Sequence, residues 1–433
     1  MTTFDQIIPI LIEIFKAHKE DLPAIGKVII NRDLNSRVRL IVSETVNGNK
    51  EALQTVETMT REIHQRLGPH AYPPQQGVLF EADLTTVTEG VPAFPLEDFE
   101  QVILVDRLAS ESDWACIEPP SNGVPRVVFY SIKGGVGRST ALAATAWSLA
   151  QSGQRVLVLD LDLESPGLSS ALLPEERRPA FGIADWLVED LVGQGDLLLD
   201  DLFATSSLAH DGDIFVVPAH GQHPGEYIAK LGRVWMPKVD ANGNHEPWVR
   251  RLSRMIDSLE TRLQPDVILI DSRAGIDEVA ASCIAGLGAT LVLLFAIDSD
   301  QTWSGYKVLF EHWNRAGKVR EIRERFQLVG AMIPDEGRHD YFKRLREAAS
   351  DLFAENLYDE IPPGEPEAEY FSFDESDLSA PHYPWEVRWN RGFAALRSLH
   401  TRLAEIDVTE VEAIFGPLIR GVEKVVSGSG ADK

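Results

Sequence analysis

Hydrophobic positions follow two different patterns on either side of residue 120. Before it, apolar residues recur at helical spacing over residues 7–15 and 51–67, where Leu53, Val56, Met59, Ile63 and Leu67 share one face. Short apolar runs at 27–30, 38–42, 77–80 and 101–105 read as strands, the first two joined by a turn over 31–36. After residue 120 the runs are apolar at nearly every position: 127–131, 155–160, 214–217, 266–271, 290–297 and 327–332, with helical stretches between them. Strands without alternation are buried on both faces, which predicts a doubly wound, mostly parallel sheet covered by helices. The fold class is therefore α/β, with a small α/β domain preceding the main one.

The break between the two patterns is Glu118-Pro119-Pro120-Ser121-Asn122-Gly123, a composition that punctuates rather than continues an element. We expect an accessory domain over 1–118, a linker over 119–125, the main domain over 126–426 and a flexible tail over 427–433. Residues 359–386 are acidic, aromatic and rich in proline, so they read as a long irregular excursion. A solvated insertion is the leading reading there, ahead of a lid or a docking loop.

The candidate chemistry lies between the first two runs of the main domain. Val127-Val128-Phe129-Tyr130 leads into Lys133-Gly134-Gly135-Val136-Gly137-Arg138-Ser139-Thr140, and an alanine-rich helical stretch follows. Glycines let successive backbone N–H groups turn toward an anion, and a helix N-terminus adds its positive dipole end. Ser139 stands where a loop hydroxyl would ligate Mg²⁺. Ile132 occupies the place of an ordinary P-loop's first glycine, and Arg138 that of its lysine. Downstream, one apolar run ends in Asp160-Leu161-Asp162, and another ends in Asp271-Ser272-Arg273-Ala274-Gly275-Ile276. A third, Ile214-Phe215-Val216-Val217, runs into Pro218-Ala219.

In that order these segments resemble the MinD/ParA family of P-loop ATPases, members of the SIMIBI class. The loop matches the family's deviant Walker A pattern, Asp160-Leu161-Asp162 its D-x-D switch I, and Asp271 its Walker B and switch II segment, with Arg273 replacing a proline. The likeness covers roughly residues 124–425 and thins after 340. It implies ATP and Mg²⁺ as cofactors, with the backbone of Gly134, Gly135, Val136, Gly137, Arg138, Ser139 and Thr140 cradling the phosphates. It also implies metal ligation by Ser139, Asp160 and Asp271, and a water-orienting role for Asp162. Lys133 in relatives reaches the partner's nucleotide, which implies an ATP-dependent homodimer.

The resemblance thus leads to an ATP-hydrolysing dimerisation switch that recruits or positions a protein partner, the partner being chosen through residues 1–118. The alternative is a nucleotide-binding adaptor with little or no hydrolysis, because Arg138 replaces the loop lysine. In the favoured reading the loop has instead adapted around the guanidinium, with Thr140 or Glu164 holding its fork. A different enzyme on a related fold ranks third: bacterial tyrosine kinases with a similar loop end in a tyrosine cluster, and no tyrosine follows Tyr383. Glutamine-dependent amide synthetases carry a nucleophilic cysteine, for which neither Cys116 nor Cys283 has a context. Relatives often place an asparagine after the strand that ends at Met332-Ile333; its absence here leaves the base unspecified.

Charge and cysteine content narrow the setting. A net charge of −26 disfavours DNA, whose non-specific binding rests on Lys and Arg at phosphates. The most basic stretch, Lys318 to Arg325, is interleaved with Glu321 and Glu324 and reads as a salt-bridged surface. Two distant cysteines suit a reducing cytoplasm. No apolar run reaches membrane-spanning length. The last helix, 410–426, opposes Glu410, Glu412 and Glu423 to only Arg420 and Lys424, so it reads as packed on the domain rather than on anionic lipid. His64, His70 and Tyr72 read as surface or packing residues.

Overall fold

The fully apolar runs of the main domain become the central strands of a sheet, and the helical stretches between them cover both of its faces. The computed structural model describes residues 2–88, 91–107, 113–209, 211–239, 243–363, 366, 369–393 and 399–428. The chain divides into two units, Met1–Asp113 and Trp114–Lys433.

The first unit contains α1 (Ile7–Ala17), β1 (Val28–Arg32), β2 (Val38–Ser43), α2 (Lys50–Leu67), β3 (Val78–Glu81), β4 (Ala93–Leu96) and β5 (Phe99–Asp106). Its sheet has the order β3-β2-β1-β5-β4. β1 runs antiparallel to β2 and parallel to β5, with Asn31 opposite Arg39 on one side and Val105 on the other. One sheet face is buried by Leu11 and Phe15 of α1 and by Val56, Met59 and Ile63 of α2. The opposite face carries a smaller cluster, Ile29, Ile41 and Val105, with Leu79 and Val87 among the partly buried residues packed against it. Strand β4 is four residues long and contains Pro95, which is why the hydrophobic pattern did not announce it.

In the second unit, β6 (Arg126–Ser131), α3 (Arg138–Gln151), β7 (Arg155–Asp160), α4 (Ile183–Asp190), β8 (Asp213–Val217), α5 (Trp248–Leu263) and β9 (Val267–Ala274) come first. Then follow β10 (Leu291–Ala296), α6 (Asp300–Arg315), β11 (Phe326–Ile333), α7 (Arg338–Asn356), β12 (Trp385–Arg388) and α8 (Val408–Gly428). The sheet order is β12-β11-β10-β6-β9-β7-β8, completed by an edge strand at Ala204–Thr205. Every neighbouring pair is parallel except that last one. Along β6, Val128 and Tyr130 enter one core while Val127 and Phe129 enter the other, on the α3 side. Ala141, Ala143, Ala144, Ala146 and Ala150 of α3 are all fully buried, small side chains that let the helix lie close to the sheet.

Residues 119–125, expected as a linker, lie in the second unit: Ser121 N–H donates to the Gly288 carbonyl at 2.9 Å and Val124 N–H to Glu260 Oε1 at 2.9 Å. The proline-rich excursion is anchored where described, with Tyr358 against Phe371 and Phe373 and Arg323 bonded to Asp359 at 2.7 Å. It ends two residues earlier than expected, because Trp385 and Glu386 begin β12. Helix α8 runs to Gly428, so Ser427 and Gly428 are helical; of the expected tail, 429–433 lie outside the described residues. Val411, Ile414, Phe415, Leu418, Ile419 and Val422 of α8 are buried in the core shared with α3. No helix among the described residues is long and apolar enough to cross a membrane.

Candidate functional site

Strand order reverses direction at β6, whose neighbours are the later strands β9 and β10, and the chain leaves β6 through the glycine loop. Ligands of open α/β sheets bind beyond the strand carboxyl ends at such a point. Gly135 and Gly137 have φ of 75° and 79°, left-handed values that residues with a Cβ rarely adopt. Gly137 is also the N-cap of α3, so the loop amides and the helix N-terminus converge.

They face a cavity of about 500 Å³ lined by Ser131, the stretch Gly134 to Thr140, Asp162, Ser165, Arg273 and Ala274. Lys133, the residue before this lining stretch, is half-buried, does not itself line the cavity and makes no ion pair among the described residues. Ser139 lines the same cavity.

Beneath the loop lie three carboxylates. Asp160 ends β7 and is fully buried; its Oδ2 accepts from Ser169 N–H at 3.1 Å and Ser169 Oγ–H at 2.8 Å. Asp271 stands opposite it in the β7–β9 register and is 1% exposed. Asp162 follows two residues beyond β7. One oxygen of each, Asp160 Oδ1, Asp162 Oδ1 and Asp271 Oδ2, is buried without a hydrogen-bond partner. Such atoms call for a proton or a cation, but Asp160 and Asp271 do not line the cavity, and no group of three His, Cys, Asp or Glu side chains among the described residues is arranged to hold a metal ion. Burial, together with the Asp271 charge, pushes the Asp160 carboxyl up to about 7. Burial raises Asp162 as well, against the opposing pull of Arg138.

Arg138 answers part of that need. Its Nε donates to Asp271 Oδ1 at 2.7 Å, Nη2 to Asp162 Oδ2 at 3.4 Å and Nη1 to Ser131 Oγ at 3.5 Å. Desolvation opposes its charge, but the field of Asp271, then that of Asp162, outweighs it and holds the guanidinium above its ordinary pKa. The fork is therefore held by the two acidic residues. Thr140 and Glu164, the expected holders, do not take part: Glu164 pairs with Arg273 at 2.6 Å, and Arg273 also reaches Asp277 at 3.3 Å. Arg273, where the family pattern has proline, thus ties the segment after Asp162 to the segment after Asp271. Asp277 itself caps the helix start at Glu278–Ala281 by accepting from Ala280 N–H at 2.9 Å.

A smaller cavity of about 80 Å³ adjoins the loop, between Val136, Gly137, Thr140, Met332, Trp389, Asn390 and Phe393 among others. Met332 takes a φ of 52° there, a strained value for a side chain of its size. Trp389 and Asn390 escaped the sequence reading, since β12 is four residues long and follows a proline-rich stretch.

Other candidates fall away. Cys283 is fully buried, and desolvation pushes its thiol up to about 12. In the basic stretch, Lys318 pairs with Glu321 while Arg320 and Arg323 both pair with Asp359. His70 bonds to Ser36, and Tyr72 donates to Asp33 at 2.6 Å.

A family model described as the CobQ/CobB/MinD/ParA nucleotide binding domain matches residues 127–365, more than half of the chain. The putative arsenical pump-driving ATPase 1 of Aquifex aeolicus (strain VF5) is 42% identical over 67 residues, 15% of this chain and 17% of that protein. The septum site-determining protein MinD of Buchnera aphidicola subsp. Acyrthosiphon pisum (strain APS) is 27% identical over 170 residues, 39% of this chain and 49% of that protein. The chain therefore spans about half the length of one curated relative and less of the other. Among solved structures, Pyrococcus horikoshii OT3 MinD complexed with Mg-ADP shares 19% identity, covering 71% of this chain and 98% of that one, with a TM-score of 0.41.

Proposed function

The chain belongs to the CobQ/CobB/MinD/ParA nucleotide-binding domain family, and on that premise we propose that it is an ATP- and Mg²⁺-dependent dimerisation switch with slow, partner-stimulated hydrolysis. The observation that carries the reading is the convergence of the glycine loop on three carboxylates, each with an unpartnered buried oxygen. Carboxylate oxygens are the ligand type a hard divalent cation takes, and since the three are not arranged as a metal cluster on their own, Ser139 and the nucleotide phosphates would have to complete the shell.

Backbone amides from Gly134 to Arg138 would donate to the phosphates, Thr140 would close the cradle, and the slot beside Trp389 and Asn390 would take the base. Ser139, Asp271 and Asp160 would hold Mg²⁺, which supplies charge neutralisation for phosphoryl transfer. Asp162 would orient the attacking water, and Lys133, which makes no ion pair among the described residues, would reach a second subunit. Arg138 supplies the switch in this reading. Without nucleotide its fork neutralises Asp271 and Asp162; an entering phosphate competes for the same guanidinium, and its departure releases both carboxylates for their own work. The same grip favours a second reading, an adaptor that binds nucleotide without turnover because Arg138 never leaves Asp271.

The first unit would select the protein partner, and the acidic, internally paired surface leaves DNA disfavoured. Two unbridged cysteines fit a reducing compartment, so we assign the protein to the cytoplasm.

Light scattering on the full chain tests the switch. Asp162→Ala with ATP and Mg²⁺ at micromolar protein should be dimeric, and dimeric with ADP only weakly; Lys133→Ala should stay monomeric with either. A monomer in every nucleotide condition overturns the switch. Dimerisation without measurable phosphate release from the unmodified chain selects the adaptor.

A further inference from the structure

The first unit carries a cavity that neither the loop nor the family membership explains. It opens on the sheet face away from α1 and α2 and has a volume of about 520 Å³. Register places its residues side by side: Asn31 lies opposite Arg39, Ile29 opposite Ile41, and Ile41 opposite Leu79. Arg107 extends β5 by donating its N–H to the Arg32 carbonyl at 2.9 Å, which sets it on the same face two residues beyond Val105. The face thus has an apolar end, with Ile41, Leu79 and Val87, and a cationic end with Arg39 and Arg107.

Those two arginines have no carboxylate partner among the described residues, although the chain carries a net charge of −26. Neighbouring arginines do: Arg32 bonds to Asp106 and Arg37 pairs with Asp33. Asp33 is fully engaged by Tyr72, Arg37 and the loop amides of Asn35 and Arg37. Arg39 lies over the Tyr72 ring at 4.9 Å, and its Nε is buried without a hydrogen-bond partner. Arg107 is held in place by Asn31 Oδ1 at 3.1 Å and the Val87 carbonyl at 3.2 Å. Burial, then the nearby Arg39 charge, lowers its pKa, so the two cations oppose one another inside one cavity. An entering dianion relieves both, whereas a carboxylate neutralises only one. Two carboxylates also line the cavity and set a limit in the other direction: Asp33, whose charge Arg37 already balances, and Glu81, which is exposed; together they disfavour polyanions.

We propose that this cavity binds a small phosphate monoester, its phosphate between Arg39 and Arg107 and its apolar body over Ile41 and Leu79. The site is separate from the glycine loop and makes the first unit a sensor of a phosphorylated small molecule.

Calorimetric titration of the full chain with phenyl phosphate, inorganic phosphate and benzoate tests it. Phenyl phosphate should bind more tightly than inorganic phosphate, because the ring covers the apolar end, and benzoate should bind least. Arg39→Gln and Arg107→Gln should each weaken phenyl phosphate by at least about tenfold, while Arg37→Gln changes it by less than about threefold. Arg39→Lys, which keeps the charge and loses the fork, should fall between, and thermal melting followed by circular dichroism confirms that each variant is folded. The proposal is overturned by absence of phenyl phosphate binding to the unmodified chain, by binding that survives both Gln substitutions, by equal loss in Arg37→Gln, or by benzoate binding as well as the phosphate.

Discussion

Arg138 Nε lies 2.7 Å from Asp271 Oδ1, so the loop residue expected to face phosphate is turned onto the carboxylate expected to face the metal. Both groups are buried, 7% and 1% exposed, which makes the pair sensitive to loss of either member.

Removing one partner leaves the other charge buried and uncompensated. Arg138→Ala should therefore lower the stability of the nucleotide-free chain by about 3–5 kcal/mol, whereas Arg138→Ala combined with Asp271→Asn should recover much of that loss. Urea denaturation of the four members of this cycle measures it. Arg138→Lys should weaken both nucleotide binding and turnover, since an ammonium cannot span Asp271, Asp162 and Ser131 as the fork does. A faster turnover in Arg138→Lys at unchanged affinity would contradict this and favour a degraded ATPase.

The buried Asp160 gives a pH dependence of definite sign. Burial pushes its carboxyl up to about 7 in the folded chain from the ordinary 3.8 of an aspartate, so between those limits the native state holds a proton that the unfolded state has lost. Stability from this group is present below about pH 4 and is lost as pH rises through 7. Asp160→Asn should leave stability near that of the parent at low pH and raise it by a few kcal/mol, on the order of the shift, above pH 7. Urea midpoints of metal-free protein across that range, for both chains, would show the difference widening with pH; a constant difference would refute the assignment.

Helix α8 is core, so its apolar face should report on stability rather than on lipid. Phe415 is 2% exposed and packs edge-on against Phe393 at 5.4 Å. Phe415→Ala should destabilise the chain by about 3–5 kcal/mol. Vesicles of anionic lipid should not sediment the unmodified protein with or without ATP.

Much of the second unit was legible because its information is local. Six strands, the glycine loop and both acidic strand ends could be read from runs of a few residues, since burial on both faces demands apolar residues at each position. What the sequence did not reveal depends on distance or brevity. Arg138 meets Asp271 across 133 residues and Glu164 meets Arg273 across the sheet, contacts that no local window contains. Strand β12 is four residues beside a proline-rich stretch, so the Trp389–Asn390 slot behind it was invisible. The cationic end of the first unit's open face appears only once register sets Arg39 beside Asn31.

The central claim is that the loop over the three carboxylates holds ATP, and calorimetric titration of the full chain with ATP and Mg²⁺ tests it most directly. Gly137 has a φ of 79°, so Gly137→Val should distort the loop amides while leaving α3 and the sheet folded. The account predicts one ATP bound per unmodified chain, with binding lost in Gly137→Val. No heat from the unmodified chain, or equal binding in both, would contradict it.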